Sequence, residues 1–167
     1  MKKIYAAFPL ACCLASPVWA AELIEKQVTV TATVPTAAFF VEPIGGNWMN
    51  DPQDLAYNSF TKTFVPIRKQ LQAKNTAAGG INAKLMRPAV IVSGADQIPL
   101  TVSVGGKDLN HTTAQLVVNQ ADAQAGNGAV VDFQIASALA AGTAPKPGNY
   151  QGEVNMMFEP GPIIPSR

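Results

Sequence analysis

From Gln27 to Val34 apolar and polar side chains alternate without a break. Val28, Val30, Ala32 and Val34 share one face, Gln27, Thr29, Thr31 and Thr33 the other, and Pro35 stops the pattern. The same two-residue period recurs downstream. Ile98, Leu100, Val102 and Val104 alternate with Pro99, Thr101 and Ser103; Gly105-Gly106 then supplies a turn and Lys107-Asp108-Leu109 begins a return arm, predicting a hairpin. Ala129, Val131, Phe133 and Ile135 form another half-buried face, as do Tyr150, Gly152, Val154, Met156 and Phe158. Weaker strand signals cover 63–71, 81–86 and 89–93. Turn-forming clusters separate these runs at Gly45-Gly46-Asn47, 75–80, Gly126-Asn127-Gly128 and 142–149. Helix is confined to short candidates: a turn capped by Asn50-Asp51-Pro52, and segments at 112–118 and 136–141. The pattern predicts an all-β sandwich of about seven strands in two sheets.

Composition changes this picture at the N-terminus. Met1-Lys2-Lys3 is basic, Ile4 to Leu14 mostly apolar, and Val18-Trp19-Ala20 carries residues suited to signal-peptidase cleavage, so 1–20 is expected to be an export signal. The apolar run is well short of the ~20 residues that span a bilayer. Both cysteines, Cys12 and Cys13, fall inside it. A lipidated cysteine would need a small residue before it and Leu two places further back; Cys13 follows Cys12, and Cys12 has Pro9 where Leu is wanted. The mature chain is then free of cysteine and must be stabilised by its core, a metal or partners. Loss of Lys2 and Lys3 leaves 10 basic against 11 acidic residues, a charge of about −1, and no basic patch points to nucleic acid. With 48% hydrophobic and only 14% charged residues, part of the surface is expected to be covered by association.

Catalytic chemistry finds little support. His111 has no nucleophile-bearing turn or mature cysteine to serve. Asp51 and Asp54 flank Pro52 without a nearby His or Cys to complete a metal shell, and are read as solvated carboxylates ahead of an acid and base pair for glycoside hydrolysis. No catalytic residue, metal site or cofactor is expected. Asn110-His111-Thr112 matches a glycosylation triplet, a pattern common by chance.

The regular strand at 27–34 therefore carries the question of function. It is either the first strand of its own sandwich or a segment that adds to the sheet edge of another subunit. Pattern alone leaves both open.

Several stretches in order, covering nearly all the mature chain, resemble a known family: Glu25-Lys26-x-x-Thr29-Val30-Thr31-Ala32-x-Val34; Leu55-Ala56-Tyr57 followed by Lys62-Thr63-Phe64; Ile98 to Gly106; and Gly142-Thr143-Ala144-Pro145 with Gly148-Asn149-Tyr150-x-Gly152-x-Val154. They are similar to the major pilins of the colonisation factor antigen I and CS1 family, the class 5 fimbriae of the alternate chaperone-usher pathway, whose relatives include cable pili. A cable-type pilin is the expected member, with the choice left open. The resemblance implies a major structural subunit of an adhesive fimbria, with an incomplete immunoglobulin-like sandwich and an N-terminal donor strand. It divides the chain into a signal peptide (1–20), a donor extension (21–35), the sandwich (36–158) and a proline-rich tail (159–167). It makes Val28, Val30, Ala32 and Val34 the donor side chains, and Tyr150, Val154, Met156 and Phe158 candidates for the acceptor groove or adjacent core. Identical subunits, a periplasmic chaperone, an outer-membrane usher and a tip adhesin are the implied partners. The expected route runs through the periplasm to an extracellular fimbria.

Two departures stand out. Val34 meets Pro35 directly where relatives carry an acidic residue, and the chain continues beyond Phe158. The rival is a secreted monomeric adhesin whose own surface holds host glycan or mucin. Exposed aromatics would favour it, and Trp48 is the obvious candidate.

Overall fold

The computed structural model describes residues 38–77, 79–140 and 143–162. All lie within one compact unit, Val34–Arg167. The expected signal peptide, the 21–35 extension with Val28, Val30, Ala32 and Val34, and the last five residues of the tail fall outside the described residues.

Eleven strands and little helix make up the described chain. In order they are β1 (Phe39–Pro43), β2 (Tyr57–Asn58), β3 (Thr63–Phe64), β4 (Ile67–Asn75), β5 (Ile81–Leu85), β6 (Val90–Ser93), β7 (Asp96–Val104), β8 (Lys107–Asp108), β9 (Gln115–Val118), β10 (Ala129–Ser137) and β11 (Met156–Pro160). A 3-10 turn at Trp48–Asn50 follows β1, and helix α1 (Gln120–Gln124) follows β9. One sheet has the order β1-β4-β10-β7-β6, with β8 on β7; a second has β11-β5-β9; β2 and β3 form a separate hairpin. Neighbouring strands run antiparallel, for example with Phe39↔Asn75 between β1 and β4 and Phe133↔Val104 between β10 and β7.

Core packing follows the period-two pattern. Leu71 and Ala73 of β4, Ile81, Ala83 and Leu85 of β5, Val102 and Val104 of β7 and Phe133 of β10 are all buried. On β10 the outward Val130 is 58% exposed while Val131 and Ile135 pack on the core, as the alternation requires.

Where the elements depart from expectation, backbone chemistry explains most cases. The strand expected at 63–71 is split, because Pro66 cannot donate to a ladder; β3 ends before it and β4 runs on to Asn75. The segment 112–118, weighed as helix, contains β9 instead. There the register steps from Ile81↔Val118 to Asn82↔Leu116, so Val117 is the extra residue of a bulge, and Val117 and Val118 are both buried although adjacent. The helix candidate at 136–141 gives way to the end of β10 at Ser137. The strand expected over Tyr150–Phe158 becomes regular only at Met156 and takes in Glu159 and Pro160. Upstream, Gln151 makes an isolated bridge to Val92, and the Asn155 carbonyl accepts from the Met86 amide at 2.8 Å. Gly152 lets this stretch press on β6: a Cβ there would lie 2.3 Å from the Val90 carbonyl oxygen.

Candidate functional site

An immunoglobulin sandwich pairs strands A, B, E and D in one sheet and C, F and G in the other. Here β1-β4-β10-β7 occupies the place of A-B-E-D and β5-β11 that of C-F. Among the described residues no strand fills the place of G on the outer edge of β11.

The two sheets show where that edge lies. The turn after β7 packs against β9, since a Cβ on Gly105 would lie 2.6 Å from the Val117 carbonyl oxygen. Strand β9 therefore sits on the β10–β7 side of the sandwich. Strand β11 flanks β5 on the opposite side, which is the side of β1. β1 and β11 thus form the two lips of one open side.

The bend joining β4 to β5 ties one end of both lips together. Thr76 donates its amide (2.7 Å) and hydroxyl (3.2 Å) to the Ala38 carbonyl just before β1. Across the bend, Gly161 just after β11 donates to the Gly80 carbonyl at 2.8 Å. Between them sits Asn75, the sole buried polar side chain among the described residues, at 1% exposure. Its Nδ2 donates to the carbonyls of Gly79 (3.2 Å) and Gly80 (3.0 Å), and its Oδ1 accepts from the Ala77 amide at 3.1 Å. Buried amides need such partners, so Asn75 holds the bend that anchors both lips.

Half-buried apolar side chains line the margin. Phe39 and Val41 of β1, Val154 just before β11, and Met156 and Phe158 within it all pack on the core cluster. Three of the expected groove residues, Val154, Met156 and Phe158, are thereby brought together. Tyr150 is not among them: it borders a cleft beside Ile91 of β6, and its hydroxyl donates to the Lys146 carbonyl at 3.0 Å. β1 and Asn75 escaped the sequence reading. The consecutive Phe39-Phe40-Val41 is the signal that marks β1, an edge strand whose residues are half-buried on both faces.

Trp48 proves to be core rather than an exposed aromatic. It is 8% exposed, packs on Phe133 with ring centroids 5.2 Å apart, lies under the Lys69 ammonium at 5.9 Å and donates from Nε1 to the Ile44 carbonyl at 3.2 Å. Asp51, Asp54 and His111 are exposed. No group of three or more metal-ligating side chains occurs among the described residues. Among these residues, too, no helix is long and apolar enough to cross a membrane. A hydrogen bond and charge contact with Asp96 at 2.6 Å on the open surface hold the Lys146 ammonium above the ordinary lysine range.

Comparison with known proteins places this sandwich in a family. Residues 24–159 match the family described as CS1 type fimbrial major subunit. The chain is 31% identical over 150 residues to a CFA/I fimbrial subunit of Escherichia coli, covering 84% of this chain and 88% of that one. The fold is similar to that of the CooA pilin subunit from enterotoxigenic Escherichia coli, with a TM-score of 0.56 at 18% identity over 73% of this chain and 86% of that chain. A fimbrial major subunit is a structural part of an extracellular fibre built by subunit–subunit polymerisation, not a class of enzyme. This chain belongs to the CS1 type fimbrial major subunit family.

Proposed function

We propose that the subunit polymerises by donor-strand exchange, with the 21–35 extension of one copy lying in the open side between β1 and β11 of the next. The unpaired outer edge of β11 among the described residues carries this reading. Such an edge offers a row of backbone donors and acceptors, and an added strand would satisfy them. Val28, Val30, Ala32 and Val34 are the side chains that face inward, towards Val154, Met156 and Phe158. Burial of three valines and an alanine contributes about 5 to 8 kcal/mol before the ladder of hydrogen bonds is added.

Topology also favours one direction of insertion. β11 runs towards the 76–80 bend and β1 runs away from it. The donor strand leads through Pro35 into β1 of its own subunit, which begins at that subunit's bend. A donor parallel to β11 would bring the two bends together, where the next donor must also arrive, and growth would be blocked. An antiparallel donor sets the bend end of each subunit on the opposite end of its neighbour. That contact is heterologous and repeats into a filament.

A periplasmic chaperone covers the open side before assembly, and an outer-membrane usher is where the next subunit's strand replaces it. A tip adhesin ends the fibre. The proposal is tested with a chain lacking Glu22 to Val34 and a synthetic peptide of those residues. The peptide is expected to raise the melting temperature of the shortened chain, and a Val30→Asp peptide is not. A shortened chain as stable alone as with peptide would overturn the proposal.

A further inference from the structure

A cleft lies at the β6 edge, across the sheet from the open side between β1 and β11. It holds about 670 Å³, within the range of small-molecule sites. Three rings border it: Tyr57 and Phe64 from the β2–β3 hairpin, with centroids 5.0 Å apart, and Tyr150 from the strand leading to β11. Tyr57 is 39% exposed, and the same hairpin carries Phe60 at its turn with 95% exposed. Apart from the tyrosines and Gln53, whose amide donates to the Trp48 and Asp51 carbonyls, the polar side chains in the lining are Asp54, Asn149 and Gln151. None of these three makes a side-chain hydrogen bond within the described residues, so a carboxylate and two amides retain their bonding capacity. Lysine, arginine and histidine are absent from the lining.

We propose that this cleft binds a neutral saccharide. Sugar rings present an apolar C–H face that an aromatic ring can cover and hydroxyls that carboxylate and amide groups can bind in both directions. A lining with one carboxylate and no cation disfavours phosphate, sulfate and sialate. The wall is also closely packed: a Cβ on Gly148 would lie 2.6 Å from Ser93 Oγ, and one on Gly152 would meet the Val90 carbonyl, so the 148–152 segment sits hard against β6. A preformed wall lowers the ordering cost of binding. The site belongs to a single subunit and goes beyond the assembly reading. Polymerisation, where that reading holds, repeats it along the fibre, and avidity turns weak contacts into firm attachment.

The test passes assembled fibres of the full-length chain over immobilised neutral oligosaccharides of two to five hexose and N-acetylhexosamine units, and over sialylated and sulfated forms of the same sugars. Saturable binding to a neutral member is expected, weaker binding to its anionic forms, and a loss of roughly tenfold or more in Tyr57→Ala and in Asp54→Asn. Fibre assembly is scored first, so that a defect in polymerisation is read separately from a defect in the cleft. A variant that does not assemble is compared with wild type as soluble subunit, by chemical-shift perturbation with the sugar that wild type binds. Absence of neutral-sugar binding by wild type, preference for the anionic forms, or binding untouched by both substitutions overturns the proposal.

Discussion

Asn75→Ala removes the side chain that holds the β4–β5 bend. Three hydrogen bonds are lost, two to the Gly79 and Gly80 carbonyls and one from the Ala77 amide. The Gly80 carbonyl keeps the Gly161 amide as a partner, so the Gly79 carbonyl and the Ala77 amide are the groups left wanting. A buried orphan costs about 1–3 kcal/mol; Gly79 is buried and Ala77 exposed, so the loss at Gly79 dominates and the total is about 2–3 kcal/mol. In urea the unfolding midpoint of the purified subunit should fall by roughly 1–2 M at an m-value of about 1–3 kcal/mol/M. Asn75→Asp should cost more, because it keeps the acceptor but sets a carboxylate against two carbonyl oxygens. The exposed Gln53, whose amide donates to several nearby carbonyls, provides the control: Gln53→Ala should shift stability by less than about 0.5 kcal/mol. Equal, small effects at Asn75 and Gln53 would refute the view that the bend is held by Asn75.

Other positions are predicted from the same structure. Phe133→Ala empties a site 2% exposed and removes the ring against Trp48, costing about 3–5 kcal/mol and roughly 10 °C or more of melting temperature by calorimetry. Gly128→Ala, at φ +82° with its Cβ 2.5 Å from the Ala73 carbonyl oxygen, should cost about 1–3 kcal/mol, whereas Gly126→Ala, facing open space, should leave the denaturation midpoint unchanged. Lys146 has its folded pKa raised by Asp96, so the small contribution of this pair is fully present below the ordinary lysine value of about 10.4 and is lost as pH rises through the folded value. Melting curves of wild type and Asp96→Asn should therefore converge above that range.

Strands whose alternation matches burial on one face were legible from the residues alone. Ile98 to Val104 and Ala129 to Ile135 became β7 and β10 because each inward position meets the core. Harder cases share a cause, a polar residue turned inward or an apolar one kept by a special backbone. β4 points Lys69 at Trp48 and Asn75 into the bend, so its inward face does not look apolar. β9 buries two adjacent valines through a bulge that hydrophobic period cannot reveal. Helix α1 left a readable trace: Asn119 accepts from the Asp122 amide at 2.9 Å, an N-cap at the expected spacing. The open side between β1 and β11 was not legible from pattern, because no strand among the described residues lies there to be read. The strand at 27–34 has the same alternation whether it completes its own sheet or another's. Only the resemblance to fimbrial subunits separated the two, and the proposal of the second draws on β11 pairing with β5 alone among the described residues.

The measurement that bears most directly on strand exchange is the size distribution of the exported protein, run without boiling, beside a variant lacking Glu22 to Val34 and with the matching chaperone and usher supplied to both. A ladder or fibre is expected for the full-length chain, and its disappearance in the variant. Monomers of equal stability in both samples would contradict donor-strand assembly, and would make the chain a self-contained sandwich whose N-terminal strand is dispensable for polymerisation.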